Sequence, residues 1–138
     1  MIFYYQNESL KPYKKHADDA GWDIRCKESI TIRPNETRLI KTGVSAIIPN
    51  GYVGIIKCRS GLATNGLNVN GGVIDSTYRG EIGVIIQNLG AEPITFEAYE
   101  RIAQMLVIPC LSSATLVEGV APQDTDRSAN GYGSSGRL

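Results

Sequence analysis

No stretch of the 138 residues approaches the ~20 consecutive apolar side chains that a membrane-spanning helix needs. The opening MIFYYQNESLKPYKK also lacks a continuous apolar run of signal-peptide length. A soluble, cytoplasmic protein is the expectation. Charge of one sign is missing too. Fourteen basic residues balance 14 acidic ones, so the basic excess of a nucleic-acid binder is absent, and any affinity for phosphate must come from a few placed arginines. His16 is the lone histidine, and Cys26, Cys58 and Cys110 are odd in number with no C-x-x-C spacing. That pattern argues against zinc and against a disulfide framework, and for buried or free thiols in a reducing compartment. No acidic cluster could cage magnesium by protein ligands alone; a metal, if used, is held mainly by a substrate's phosphates and by water.

What is present suits one domain. Apolar residues make up 42% of the chain, enough for a core at a length typical of single domains. Short apolar or alternating runs recur between turn signals: SITIRP, TRLIKTGVSAIIP, GYVGIIKC, LNVNGGVID, GEIGVIIQNLG, EPITFEA and IAQMLVIPC. Their β-branched content and Pro/Gly/Asn punctuation predict strands. Asn50-Gly51 predicts a tight turn of the hairpin kind, and SGLATNG predicts one helical turn capped by Ser60 and stopped by Gly66. The expectation is an all-β sandwich or barrel of short strands with one short helix, a fold whose edges are often covered by oligomerisation. From EGVAPQDTD onward the apolar pattern stops. Residues 1–117 are therefore expected to form the β domain and 118–138 a flexible arm ending in RSANGYGSSGRL.

Four internal segments stand apart from plain strands and turns. HADDAGWDIRC carries Asp23, KCRSGLATNG places Arg59 and Ser60 at the mouth of the helical turn, GGVIDSTYRGE places Asp75, Tyr78 and Arg79 at an expected hairpin, and ERIAQM carries Arg101 and Gln104. Each alone has a plainer explanation as a turn, cap or strand end. Together they describe a phosphate site: helix N–H groups and Ser60 receive an anion, Arg59 adds a bidentate partner, and Asp75 is the residue type that deprotonates a water.

At this point the sequence resembles the trimeric dUTP pyrophosphatases (dUTPases). Five ordered motifs of that family occur in order: AGWDIRC from Ala20, RSGLA from Arg59, GVIDSTYRGE from Gly72, RIAQ from Arg101 and RSANGYGSSG from Arg127. The resemblance implies a jelly-roll homotrimer with shared active sites that hydrolyses dUTP to dUMP and pyrophosphate with Mg²⁺, limiting uracil incorporation into DNA and supplying dUMP. By position, Asp75 matches the water-activating aspartate and Tyr78 the ring beneath the deoxyribose. Arg59, Ser60, Gly61 and Gln104 match phosphate ligands, and Asp23 matches an aspartate that supports the metal's waters from behind. The backbone around Val69, Asn70 and Gly72 matches the segment that reads uracil. In the mobile arm, Arg127 matches a γ-phosphate ligand, Tyr132 a ring stacked on the base, and Gly133 and Ser134 further phosphate contacts. Several positions depart from the family pattern: Cys58 stands for a proline, Thr77 for an acidic residue or glycine, Tyr99 for a glycine, and Ser128 and Tyr132 for glycine and phenylalanine. Val69 stands where some members use asparagine. A dCTP deaminase shares the fold plan but needs a carboxylate in a deaminase motif, which is missing here; a β-sandwich trimer that has lost turnover and binds a protein is the other reading.

Overall fold

The structure, a computed structural model, describes residues 1–131. Eleven strands, β1 (Ile2–Tyr5), β2 (Trp22–Arg25), β3 (Ile30–Ile32), β4 (Thr37–Ile40), β5 (Val44–Ile47), β6 (Tyr52–Lys57), β7 (Leu67–Asn70), β8 (Val73–Ile74), β9 (Val84–Asn88), β10 (Ile94–Phe96) and β11 (Arg101–Pro109), are joined by turns and one short helix, α1 (Ser60–Ala63). All strand pairs are antiparallel. They form sheets of order β2-β11-β6-β8, β4-β9-β7, β1-β5 and β10-β3. This is the expected all-β, jelly-roll-like architecture of short strands with one minor helix. Each apolar run named from the sequence contains a strand.

Two strands escaped the sequence reading. IFYY and WDIR are only four residues each; the first does not alternate and the second alternates over too short a run to stand out, and both are made by their partners, β5 and β11.

Two turn expectations also need correcting. Pro49–Tyr52 is the tight turn expected, closed by Tyr52 N–H donating to Pro49 C=O at 3.2 Å with Gly51 at φ 81. It links two sheets rather than closing a hairpin, because β5 pairs with β1 and β6 with β11 and β8. Ser60 is the first residue of α1 and not its cap. The cap position is Arg59, whose extended backbone carries no side-chain capping bond, so Ser60 Oγ is not spent on the helix end.

Packing between the sheets explains the branched composition. Ile24, Ile32, Ile56, Ile82, Ile86, Ile102, Phe96 and Met105 are all buried. Along β9, Val84, Ile86 and Asn88 point inward, the alternation expected of a half-buried strand. Asn88 is tolerated in the core because its amide is satisfied: Nδ2 donates to the carbonyls of Ile32 (3.0 Å) and Glu92 (2.8 Å), and Oδ1 accepts from Gly90 N–H at 2.9 Å. Cys26 and Cys58 are unpaired thiols whose pKa is pushed up mainly by burial, which keeps both protonated and poorly nucleophilic at neutral pH.

After Pro109 no strand follows among the described residues, and every one from Leu111 to Gly131 is exposed. Leu111, Leu116 and Val120 are at least 90% accessible. A single chain does not pack them.

Tyr99, standing where the family pattern has glycine, takes φ 70. A side chain there costs ~1–2 kcal/mol, while glycine would add ~0.4–1 kcal/mol of chain entropy to the unfolded state. The first effect is larger, and the ring, 42% accessible at the edge of a surface cavity, offsets only part of it. Tyr99→Gly is expected to stabilise the protein by about 0.5–1 kcal/mol, read as a higher urea midpoint; an unchanged or lower midpoint would show that the turn is not strained.

Candidate active site

The four-stranded sheet assembles one half of the predicted constellation. Gln104 on β11 sits in register with Asp23 on β2 and with Lys57 on β6, and two residues beyond Lys57 the chain reaches Arg59 and α1. Asp23, Arg59, Ser60, Gly61, Leu62 and Gln104 consequently line one open cavity of about 380 Å³. Ser60 and Gly61 are exposed at its rim, whereas Asp23, Arg59 and Gln104 are half-buried.

Within the cavity wall the polar groups are held by one another. Asp23 Oδ1 lies 3.2 Å from Arg59 Nε, and Asp23 Oδ2 accepts from Arg101 Nη1 at 3.0 Å. Arg59 Nη1 donates to the Arg101 carbonyl at 3.2 Å. Gln104 Nε2 donates to the Cys58 carbonyl at 3.2 Å. Gly21 makes room for that glutamine: a Cβ there would come within 2.6 Å of Gln104 Oε1. Asp23 therefore stands behind Arg59, with its carboxylate engaged by two guanidinium groups. Such partly shielded ion pairs, of which the one to Arg101 is also hydrogen-bonded, fix geometry more than they stabilise the fold.

The second half lies elsewhere on the chain. The expected hairpin in GGVIDSTYRGE is not one, since β8 pairs with β6 and the next strand, β9, pairs with β4 and β7. Gly71 and Gly72, at φ 62 and 82, swing the backbone from one sheet to the other. Gly72 C=O accepts from Ile56 N–H at 2.8 Å, and a Cβ on Gly72 would sit 2.9 Å from Ile56 Cβ. That close approach requires glycine. Val69 and Asn70 remain on β7, where Asn70 Oδ1 accepts from Asn68 Nδ2 at 2.6 Å.

Asp75 opens the turn that follows β8, closed by Tyr78 N–H donating to Asp75 C=O at 3.1 Å. Its carboxylate is exposed and forms no ion pair among the described residues. The Tyr78 ring folds back over Gly80, where a Cβ would collide with it, and its hydroxyl donates to Glu81 C=O at 2.8 Å. Glu81 Oε1 in turn accepts from the Thr42 and Gly43 amides. The ring is thus tied to the β4–β5 turn rather than left to swing.

Neither Asp75 nor Tyr78 lines the cavity of Arg59 and Gln104. Ile74 pairs with Gly54, three residues before the Lys57 that pairs with Gln104. With strands ~4.8 Å apart and a rise of ~3.3 Å per residue, the backbone at Asp75 lies roughly 16 Å from that at Gln104. The chain separates the two halves.

Arg127 is described and exposed, with Nε donating to Asn130 C=O at 2.9 Å; Tyr132, Gly133 and Ser134 lie outside the described residues. Among the described residues no three His, Cys, Asp or Glu side chains converge as a metal cage, and no helix is long and apolar enough to cross a membrane. A larger cavity, about 860 Å³, lies beside the outer strand and is lined by Lys11, Tyr13, Lys14, Trp22, Arg25 and Tyr99 among others. None of the predicted site residues borders it. Arg101, Glu81 and Tyr13 are the structural partners that the sequence left without a role. The first two sit inside quoted motifs, but nothing in the pattern around Tyr13 marks it.

A family model described as dUTPase matches residues 8–136. A deoxyuridine 5'-triphosphate nucleotidohydrolase of Anaeromyxobacter sp. is 43% identical over 122 residues, covering 86% of this chain and 82% of that protein. Among solved structures, the dUTPase of Staphylococcus bacteriophage 80alpha with dUpNHpp superposes with a TM-score of 0.87 at 28% identity, covering 98% of this chain and 97% of that one. A variant of the dUTPase from phage phi11 of S. aureus, described with a coordinated structural Mg(II) ion, has a TM-score of 0.76 at 26% identity over 86% of this chain and 96% of that one.

Proposed function

This chain belongs to the dUTPase family, and from that premise we propose that it hydrolyses dUTP to dUMP and pyrophosphate at sites built between subunits of a homotrimer. It is a hydrolase of nucleotide metabolism, whose action limits uracil incorporation into DNA and supplies dUMP. The observation that carries the composite site is the separation of Asp75 and Tyr78 from the cavity of Arg59, Ser60 and Gln104. In this reading a triphosphate held by one chain's Arg59 meets the water of a neighbouring chain's Asp75. Exposed apolar side chains supply a surface for association: Leu39 and Ile85 face each other across β4 and β9, 65% and 36% accessible, and Val73 on β8 is 64% accessible.

In this reading Asp75 accepts the proton of a water that attacks the α-phosphate. Tyr78, pinned through Glu81, packs under the deoxyribose and excludes a 2′-hydroxyl. The backbone of Val69, Asn70 and Gly72 reads the uracil edge, and a pocket of fixed amides discriminates strongly because cytosine would leave buried polar groups unpaired. Arg59, Ser60, Gly61 and Gln104 hold phosphate oxygens, with Asp23 orienting Arg59. Residues 118–138 form the arm, which brings Arg127, Tyr132, Gly133 and Ser134 over a bound nucleotide. In this reading Mg²⁺ arrives as an ion carried by the substrate's phosphates and by water, with no three His, Cys, Asp or Glu side chains of one chain converging among the described residues. Bound in that way it would neutralise phosphate charge and help align the triphosphate.

Pyrophosphate release measured against dUTP, dCTP, dTTP and UTP tests the reading. Release from dUTP at least 100-fold faster than from the others is the result expected of a pocket that leaves mismatched polar groups unpaired. Release of ammonia from dCTP would instead make the chain a deaminase, and release from none would make it a binding module.

A further inference from the structure

The cavity containing Arg59 is backed by a chain of contacts that ends outside all five motifs. Tyr13 and Asp23 form a two-bond backbone bridge, Tyr13 N–H to Asp23 C=O at 3.1 Å and Asp23 N–H to Tyr13 C=O at 2.7 Å. The preceding Pro12 is buried and fixes the approach. The Tyr13 ring lies beneath the Arg101 guanidinium, 5.4 Å from Cζ to the ring centroid, within cation–π range. Arg101 Nη1 donates to Asp23 Oδ2, and Asp23 Oδ1 faces Arg59 Nε.

We infer that Tyr13 and Arg101 are positioning residues for the phosphate ligand Arg59, acting through Asp23. The inference rests on the reading of Arg59 as a phosphate ligand. Asp23 by itself could swing between solvent and either arginine. With Arg101 held over the Tyr13 ring, one carboxylate oxygen is occupied and the other is turned towards Arg59 Nε. Arg59 also spends Nη1 on the Arg101 carbonyl. Two of its three nitrogens are thus anchored to protein, and the Nη2 donors have no protein acceptor among the described residues. An arginine held on two edges presents its third to phosphate with less side-chain entropy left to lose. The ring, not the phenolic hydroxyl, makes the contact.

The test is a double-mutant cycle read by affinity for dUpNHpp and by steady-state kinetics on the intact protein. Tyr13→Leu is expected to weaken dUpNHpp binding and to raise KM for dUTP by about 5-fold, with kcat within about 2-fold, because a ground-state ligand is loosened. Tyr13→Phe keeps the ring and is expected to stay within about 2-fold of the parent in both. Arg101→Met cuts the same chain one link later and should reproduce the loss. In an Arg59→Met background Tyr13→Leu should change affinity by less than about 1.5-fold, since the two act through one group. Additive losses, or equal losses from Tyr13→Phe and Tyr13→Leu, would overturn the inference while leaving Arg59 a phosphate ligand. If Arg59→Met binds dUpNHpp as tightly as the parent, the role of Arg59 falls and the inference with it.

Discussion

Replacing Asp75 with asparagine is expected to lower turnover of dUTP by roughly 10²–10⁴-fold, the usual contribution of a general base. Binding of dUpNHpp should stay within a few-fold of the parent. The amide matches the carboxylate in size and loses only the capacity to take a proton. Little else depends on that carboxylate. It is exposed, it forms no ion pair among the described residues, and the turn it opens is closed by its backbone carbonyl. Stability should change by less than about 0.5 kcal/mol, as for other surface substitutions away from caps and networks, and the mass in solution should not change. Turnover near that of the parent would remove Asp75 from the chemistry. A loss accompanied by unfolding would contradict the exposed, unpaired setting seen here.

The second large effect is a recovery. Asp75→Asn and Arg59→Met should each be nearly inactive alone at low dUTP. Co-refolded in equal amounts, they should regain up to about a quarter of parental activity. In the proposed ring of three each interface would be head-to-tail, and a site would take Asp75 from one chain and Arg59 from its neighbour. With random assortment, half the chains offer an intact Asp75 and half offer an intact Arg59, so about one site in four receives both. A site contained within one chain would gain nothing from mixing. Co-refolded trimers with no more activity than the separate variants would overturn the composite site, and a sedimentation mass checks that the trimers formed.

How much was readable beforehand differs from element to element. β9 was plain in GEIGVIIQNLG because a half-buried strand imposes a two-residue period on its own sequence. β2 was not, because WDIR alternates over only four residues inside a segment read as a motif, and the strand exists through its bonds to β11. The turns at Gly51 and Gly71-Gly72 were marked by residues that tolerate positive φ. Whether such a turn folds a chain back on itself or carries it to another sheet depends on which partner accepts its strands, and that partner is distant in sequence. Ser60 illustrates the same limit at a helix end. Its type suggested a cap, but the cap position fell one residue earlier, on Arg59.

Residue types and their order by themselves determined the all-β class and which side chains can carry phosphate chemistry, and through the five motifs they pointed to the family. These are local properties: strand period, turn residues, and arginine, serine and aspartate in a given succession. Only the tertiary structure decided which of those residues meet. It put Asp23 on β2, Gln104 on β11 and Arg59 at the end of β6 around one cavity and left Asp75, in the turn after β8, outside it. It also brought Tyr13 beneath Arg101, although 88 positions separate them. Such meetings are fixed by antiparallel register and by close backbone approaches at single glycines. Both are set by pairing between segments remote in sequence, which no local pattern encodes.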